Sequence, residues 1–132
     1  MMDPSVESRI SDRLSALHAH LHGRRPSATR TYIAGDDVVV AVLEETFTPA
    51  EQALVDRGEA EGIKELGRRL RRVMADDFGA IVEQATGRRV RSYISDTDLA
   101  EQVSIEVFLL GASLADMSGF ETTGDSEGSG GA

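Results

Sequence analysis

The chain has 132 residues, 40% hydrophobic and 28% charged, which is the composition of one ordinary domain able to bury its own core. It has no cysteine, which excludes disulfides, thiolate metal sites and cysteine nucleophiles. Fourteen basic side chains against 23 acidic ones give a net charge of −9, which disfavours non-specific binding to nucleic acid or an anionic bilayer.

Val6, Ile10, Leu14, Leu17 and Leu21 recur at steps of three and four and draw one apolar stripe down a first helix. Asp3 is expected to cap it with Pro4 at the first helical position, and Gly23 to stop it. Two strand-like runs follow, 29–34 and 38–46, separated by Gly35-Asp36-Asp37 and read as a hairpin. Val38 to Leu43 is apolar without alternation, so such a strand is covered on both faces or keeps one face for a partner chain.

Thr48-Pro49-Ala50-Glu51 is a capping box with proline at the first helical position. It predicts a helix to about Ala85, interrupted near Arg57-Gly58 and stopped by Gly87. Ile63, Leu66, Leu70, Val73, Met74, Phe78, Ile81, Val82 and Ala85 are its expected buried stripe. A second hairpin is read over 88–95 and 102–110, with Asp96 to Glu101 as its turn. Val103, Ile105, Val107 and Leu109 share one face of its last strand, and Ser104, Glu106, Phe108 and Leu110 the other. The fold class is therefore α+β: N-terminal helix, hairpin, long helix, hairpin, with a four-stranded antiparallel or mixed sheet and helices packed on it. One domain is expected over 1–111, and the acidic Gly/Ser-rich 112–132 is expected to be a disordered tail.

Candidate chemistry is sparse. His18 and His22 are four apart, a workable spacing for two metal ligands, but no third ligand is evident, so solvated or capping roles are expected. A metal-dependent enzyme on these histidines is the weakest of three functional readings. The acidic clusters Asp36-Asp37 and Asp96/Asp98/Glu101 are explained as turn formers. Arg68, Arg69, Arg71 and Arg72 read as a solvated run paired with Glu65 and Asp76. The doublets Arg24-Arg25 and Arg88-Arg89, if the fold gathers them, make a cationic patch for an anion, a nucleotide or an acidic partner. No phosphate-binding, nucleophile-elbow or HExxH motif occurs, so no catalytic residue, metal or cofactor is assigned and a non-enzymatic protein is expected. No run approaches the ~18 apolar residues of a membrane span. The N-terminus lacks a signal-peptide pattern, so a cytoplasmic location without membrane insertion is expected.

The order of several short motifs is familiar. Gly23-Arg24-Arg25-Pro26, Thr31-Tyr32-Ile33, Val38–Leu43, Phe47-Thr48-Pro49-Ala50-Glu51, Glu83-Gln84-Ala85-Thr86-Gly87-Arg88 and Tyr93-Ile94-Ser95-Asp96, with a last strand over 103–110, together resemble the MpsC-like domain. The resemblance spans about residues 5–111. It implies a soluble accessory or regulatory protein of a membrane-potential-generating system linked to cation and inorganic-carbon transport, with no catalytic residue to carry over. This chain departs from the family in its single lysine, Lys64, in Gly58 and Gly62 early in the long helix, and in its acidic tail. The over-apolar valine strand adds a homodimer built on Val38, Val40 and Val42 to the expectation. The interior is expected to close without a reactive cleft. The alternative reading is a small-anion or nucleotide sensor using the arginine doublets.

Overall fold

A computed structural model of the protein describes residues 5–116. Helix α1 (Val6–His22) leads into the antiparallel hairpin β1 (Ala28–Ala34) and β2 (Val38–Glu44). Helices α2 (Pro49–Asp56) and α3 (Ala60–Thr86) follow, then the hairpin β3 (Arg88–Asp98) and β4 (Val103–Ser113). β4 inserts beside β2, so the sheet order is β1-β2-β4-β3 and every neighbouring pair is antiparallel. The expected α+β layer and element order are thus observed.

The helix ends follow local chemistry. Asp3 and Pro4 lie outside the described residues; the cap of α1 is Ser5, whose hydroxyl accepts from the Ser8 amide at 3.0 Å. Gly23 (φ 84°) and Gly87 (φ 73°) end α1 and α3 in the left-handed conformation that glycine tolerates best. Both halves of the Thr48–Glu51 capping box form, at 2.9 and 3.2 Å. Arg24 fixes the chain's approach to this helix by donating to the Phe47 carbonyl at 2.8 Å, and Thr46 does so by donating its amide to Gln102 O at 3.2 Å. The expected interruption is real: 57–59 separate α2 from α3, with Gly58 at φ 86°.

Both long helices pack on one face of the sheet, α1 against β1 and α3 against β3, and they touch each other. Ile10, Leu14, Val39, Ala41, Leu43, Phe78, Ile81, Val82, Phe108 and Leu110 form the core. Two members of the expected stripe are not buried: Leu66 is 48% and Val73 78% exposed. At about 100° per residue, positions 66 and 73 fall roughly 100–120° off the line through Gly67, Met74, Phe78 and Ala85. The same geometry turns Arg71 inward. Arg68 and Arg69 pair with Glu65 at 3.0 Å each, as expected, but Arg71 donates to Thr97 Oγ1 at 3.3 Å and Arg72 makes no ion pair among the described residues.

β3 continues through Asp98, past the expected turn at Asp96, because the register holds from Asp96↔Ile105 to Asp98↔Val103 and Thr97 Oγ1 meets Ser104 Oγ at 2.9 Å. β4 runs to Ser113, two residues beyond the expected domain boundary. The tail assignment from 117 onward lies outside the described residues.

Candidate functional site

Two features stand out, one on each face of the sheet. On the helix face the interior is not closed, contrary to expectation. A cavity of about 60 Å³ lies between the end of α1, the start of α2, the first half of α3 and the ends of β3 and β4. Leu21, Phe47, Ile63, Leu70, Phe78 and Leu99 supply apolar walls. His18, His22, Glu51, Lys64, Arg71, Thr97, Ser104 and Glu106 also line it.

The polar groups of this cavity are held by identifiable contacts. The rings of His18 and His22 stack with centroids 4.1 Å apart. His18 is 8% exposed and its Nδ1 has no hydrogen-bond partner, so a solvated role does not fit it. Burial, and then the neighbouring His22, pull the His18 pKa down to about 4. Burial also lowers that of His22, whose Nδ1 stands 4.0 Å from Glu51 Oε2, a contact between a ring biased to neutrality and a carboxylate. On the sheet side, Tyr93 donates its hydroxyl to Glu106, and burial pushes the Glu106 carboxyl up toward its neutral form. Burial likewise raises the Tyr93 phenol.

The His18 shift has a consequence for stability. Its folded pKa lies below the unfolded 6.5, so the unfolded chain takes the proton first. The stability tied to neutral His18 is intact above pH 6.5 and is lost as pH falls to about 4. Glu106 works in the opposite sense: its contribution is full below the unfolded carboxylate pKa and declines as pH rises through its raised folded value. His18→Phe keeps a ring against His22 and removes only the first effect. At pH 5 the variant should exceed wild type by about 2 kcal/mol relative to the same difference at pH 8, read by urea unfolding at both pH values.

The opposite face of the sheet carries no helix among the described residues. β2 and β4 alternate so that Val39, Ala41, Leu43, Ser104, Glu106, Phe108 and Leu110 are buried beneath the helices. Val38, Val40, Val42, Val103, Ile105, Val107 and Leu109 point the other way and stay half-buried. The more uniformly apolar side of these two strands is therefore the open one. Tyr32 (54% exposed) on β1 and Ile94 (59%) on β3 extend the apolar surface to both edges.

Residues 3–112 match the profile of a family described as "Na+-translocating membrane potential-generating system (MpsC)". The chain belongs to the MpsC family. That match takes in α1 through nearly all of β4, and hence the cavity and the open face alike. No curated protein and no solved structure matches this MpsC-family chain.

The residues singled out in the sequence fare differently. Val38, Val40 and Val42 come together on the open face. The arginine doublets do not come together. Ala28, Glu44, Val103 and Asp98 mark one end of the sheet, and Ala34, Val38, Leu109 and Ser92 the other, about 20 Å away. Arg24 and Arg25 precede β1 at the first end, bonded to Phe47 O and to Ser15 Oγ at 3.2 Å. Arg88 opens β3 at the second, donating to Gly111 O at 2.9 Å and to Asp36 O, with Arg89 beside it. A single patch joining the two doublets is not formed. Among the described residues no group of three or more His, Cys, Asp or Glu is placed to hold a metal. Asp98 Oδ1 accepts the Glu101 amide at 3.0 Å, the turn-forming role expected of it.

The sequence does not by itself join Arg71, Ser104 and Glu106 into one cavity. A signal existed: Gly67, Arg71, Met74 and Phe78 share helical spacing, which puts an arginine in the middle of an inward face. Ser104 and Glu106 alternate with Phe108 on one side of a strand.

Proposed function

We propose that this MpsC-family protein is a non-enzymatic, homodimeric, cytoplasmic accessory subunit that regulates a membrane-potential-generating, cation-translocating system. The observation that carries the reading is the open sheet face, seven aliphatic residues of β2 and β4 flanked by Tyr32 and Ile94, in a chain of this family. A four-stranded sheet with helices on one side normally buries its other apolar face against a second layer, and a second copy supplies that layer by symmetry. The non-enzymatic part is supported by the cavity itself. Among the described residues no hydroxyl is hydrogen-bonded to a histidine, and Ser104 is engaged with Thr97 instead. No described helix is long and apolar enough to cross a membrane, so contact with the transport system would be made through protein surfaces.

The test is genetic and electrical. In cells lacking this protein, the Na+-dependent membrane potential, read with a voltage-sensitive dye, is expected to fall and to be restored by wild type but not by Val40→Glu. An unchanged potential on deletion would overturn the accessory role. Full restoration by a Val40→Glu protein shown to be monomeric would detach that role from the open face.

A further inference from the structure

Arg71 sits where the fold would ordinarily place an apolar residue. It lies on the inward face of α3, half-buried, and makes no ion pair among the described residues; its hydrogen bond is to the Thr97 hydroxyl. Gly67, one turn earlier, leaves room for it: a Cβ there would stand 3.2 Å from Arg71 Nη1. Holding a partly buried guanidinium without an ion-paired carboxylate is costly unless another anion compensates it. The carboxyl closest to that role, Glu106, feels the Arg71 charge but makes no ion pair with it; it is engaged by Tyr93, and burial outweighs Arg71 in biasing it toward neutrality. Lys64, two turns before Arg71, faces the same cavity, and Glu51, its other carboxylate, is committed to the α2 capping box. Opposite them, the buried Nδ1 of His18 has no partner. Apart from His22, Thr46 and Ser104, the remaining walls are apolar.

We propose that the cavity binds a small monocarboxylate, its carboxylate on Arg71 and its hydrocarbon end against Leu70, Phe78 and Leu99. Charge selects an anion, and the apolar walls select one with a hydrophobic body over an inorganic ion. The volume of about 60 Å³ sets the size. At roughly 10–15 Å³ per water-sized group this holds about four to six non-hydrogen atoms, the range from acetate to butyrate. The site is distinct from both arginine doublets and from the open sheet face, so it stands or falls independently of the dimer.

The experiment is titration of the full chain with sodium acetate, propionate, butyrate and hexanoate, and with chloride, bicarbonate and phosphate as their sodium salts, followed by heteronuclear NMR. Saturable binding should tighten about fourfold per methylene from acetate to butyrate and fail to tighten further at hexanoate. Intermolecular NOEs should connect the butyrate methyl to Phe78 and Leu99. Arg71→Gln should weaken butyrate binding at least tenfold, while Arg68→Gln, on the solvated side, leaves it unchanged. Absence of saturable binding overturns the proposal. So do equal affinities for chloride or phosphate, or an Arg71→Gln protein that binds like wild type. Should Arg71→Gln fail to fold, the wild-type NOEs decide: contacts anywhere other than this cavity overturn the assignment.

Discussion

Val40→Glu is expected to convert a dimer into a folded monomer. Val40 lies near the middle of the open face, in a row that crosses the sheet as Tyr32, Val40, Val107 and Ile94. In the isolated chain its side chain lies on the open face and is only partly buried, so a glutamate there can reach water and the fold is expected to be retained. In a face-to-face dimer each copy would bury one carboxylate against Val107 or its neighbours with nothing to pair it. Two such charges, each costing several kcal/mol, weaken association by more than about 10³-fold. Light scattering on a size-exclusion column at micromolar concentration reads this directly. A monomeric wild type would remove the dimer from the proposed function.

The register also says how two copies would meet. The row below Val40 is Arg30, Val42, Ile105 and Asp96, with a cation at the β1 edge and an anion at the β3 edge. A two-fold axis parallel to the strands lays each row over its own reverse. Arg30 then faces Asp96 of the second copy, and Tyr32 faces Ile94. An axis across the strands would instead stack β1 on β1 and bring like charges together. Arg30 is already bonded to Glu44 at 2.7 Å, but an exposed pair of that kind contributes little and is readily exchanged. Because the chain has no cysteine, the double variant Arg30→Cys/Asp96→Cys can be cross-linked with a short bismaleimide without background. Covalent dimer is expected from the double variant and not from either single one. Cross-linking by Arg30→Cys alone would sink this orientation while leaving dimerisation itself intact.

What was legible in the sequence, and what was not, follows from the range of the interactions involved. The ends of α2 and α3, the hairpin at Gly35 and the stops at Gly23 and Gly87 were readable because each is decided within a few residues. The extension of β3 to Asp98 was not, because Asp96 and Asp98 have poor strand propensity and are held there by cross-strand partners on β4. Arg71 departs from the solvated run, although four arginines in five positions read as surface. The helical phase set by Met74 and Phe78 separates it from the others. The cavity is a tertiary product: it exists only where α3 and the end of α1 meet the polar ends of β3 and β4, and no local pattern encodes that meeting.

Phe108→Ala is expected to be the most destabilising single change on the helix face. Phe108 is 0% exposed and lies within the core formed by both long helices and the sheet. Truncating a buried phenylalanine costs about 3–5 kcal/mol, a large part of the 5–15 kcal/mol that holds a typical domain together. Its neighbours raise the figure toward the upper end. The Tyr93 ring stacks on Phe108 at 5.0 Å and tilts against Phe78 at 5.9 Å, and its hydroxyl serves the buried Glu106. Removing Phe108 frees that ring to move and leaves the Glu106 carboxyl without its donor, a further loss of about 1–3 kcal/mol. Tyr93→Phe separates the two contributions, since it keeps the aromatic packing and deletes only the hydroxyl. Urea denaturation should therefore rank wild type above Tyr93→Phe and Tyr93→Phe above Phe108→Ala. The double variant should be less destabilised than the sum of the singles, because both act on the same carboxyl. Strict additivity would mean that Glu106 does not depend on the aromatic stack for its position.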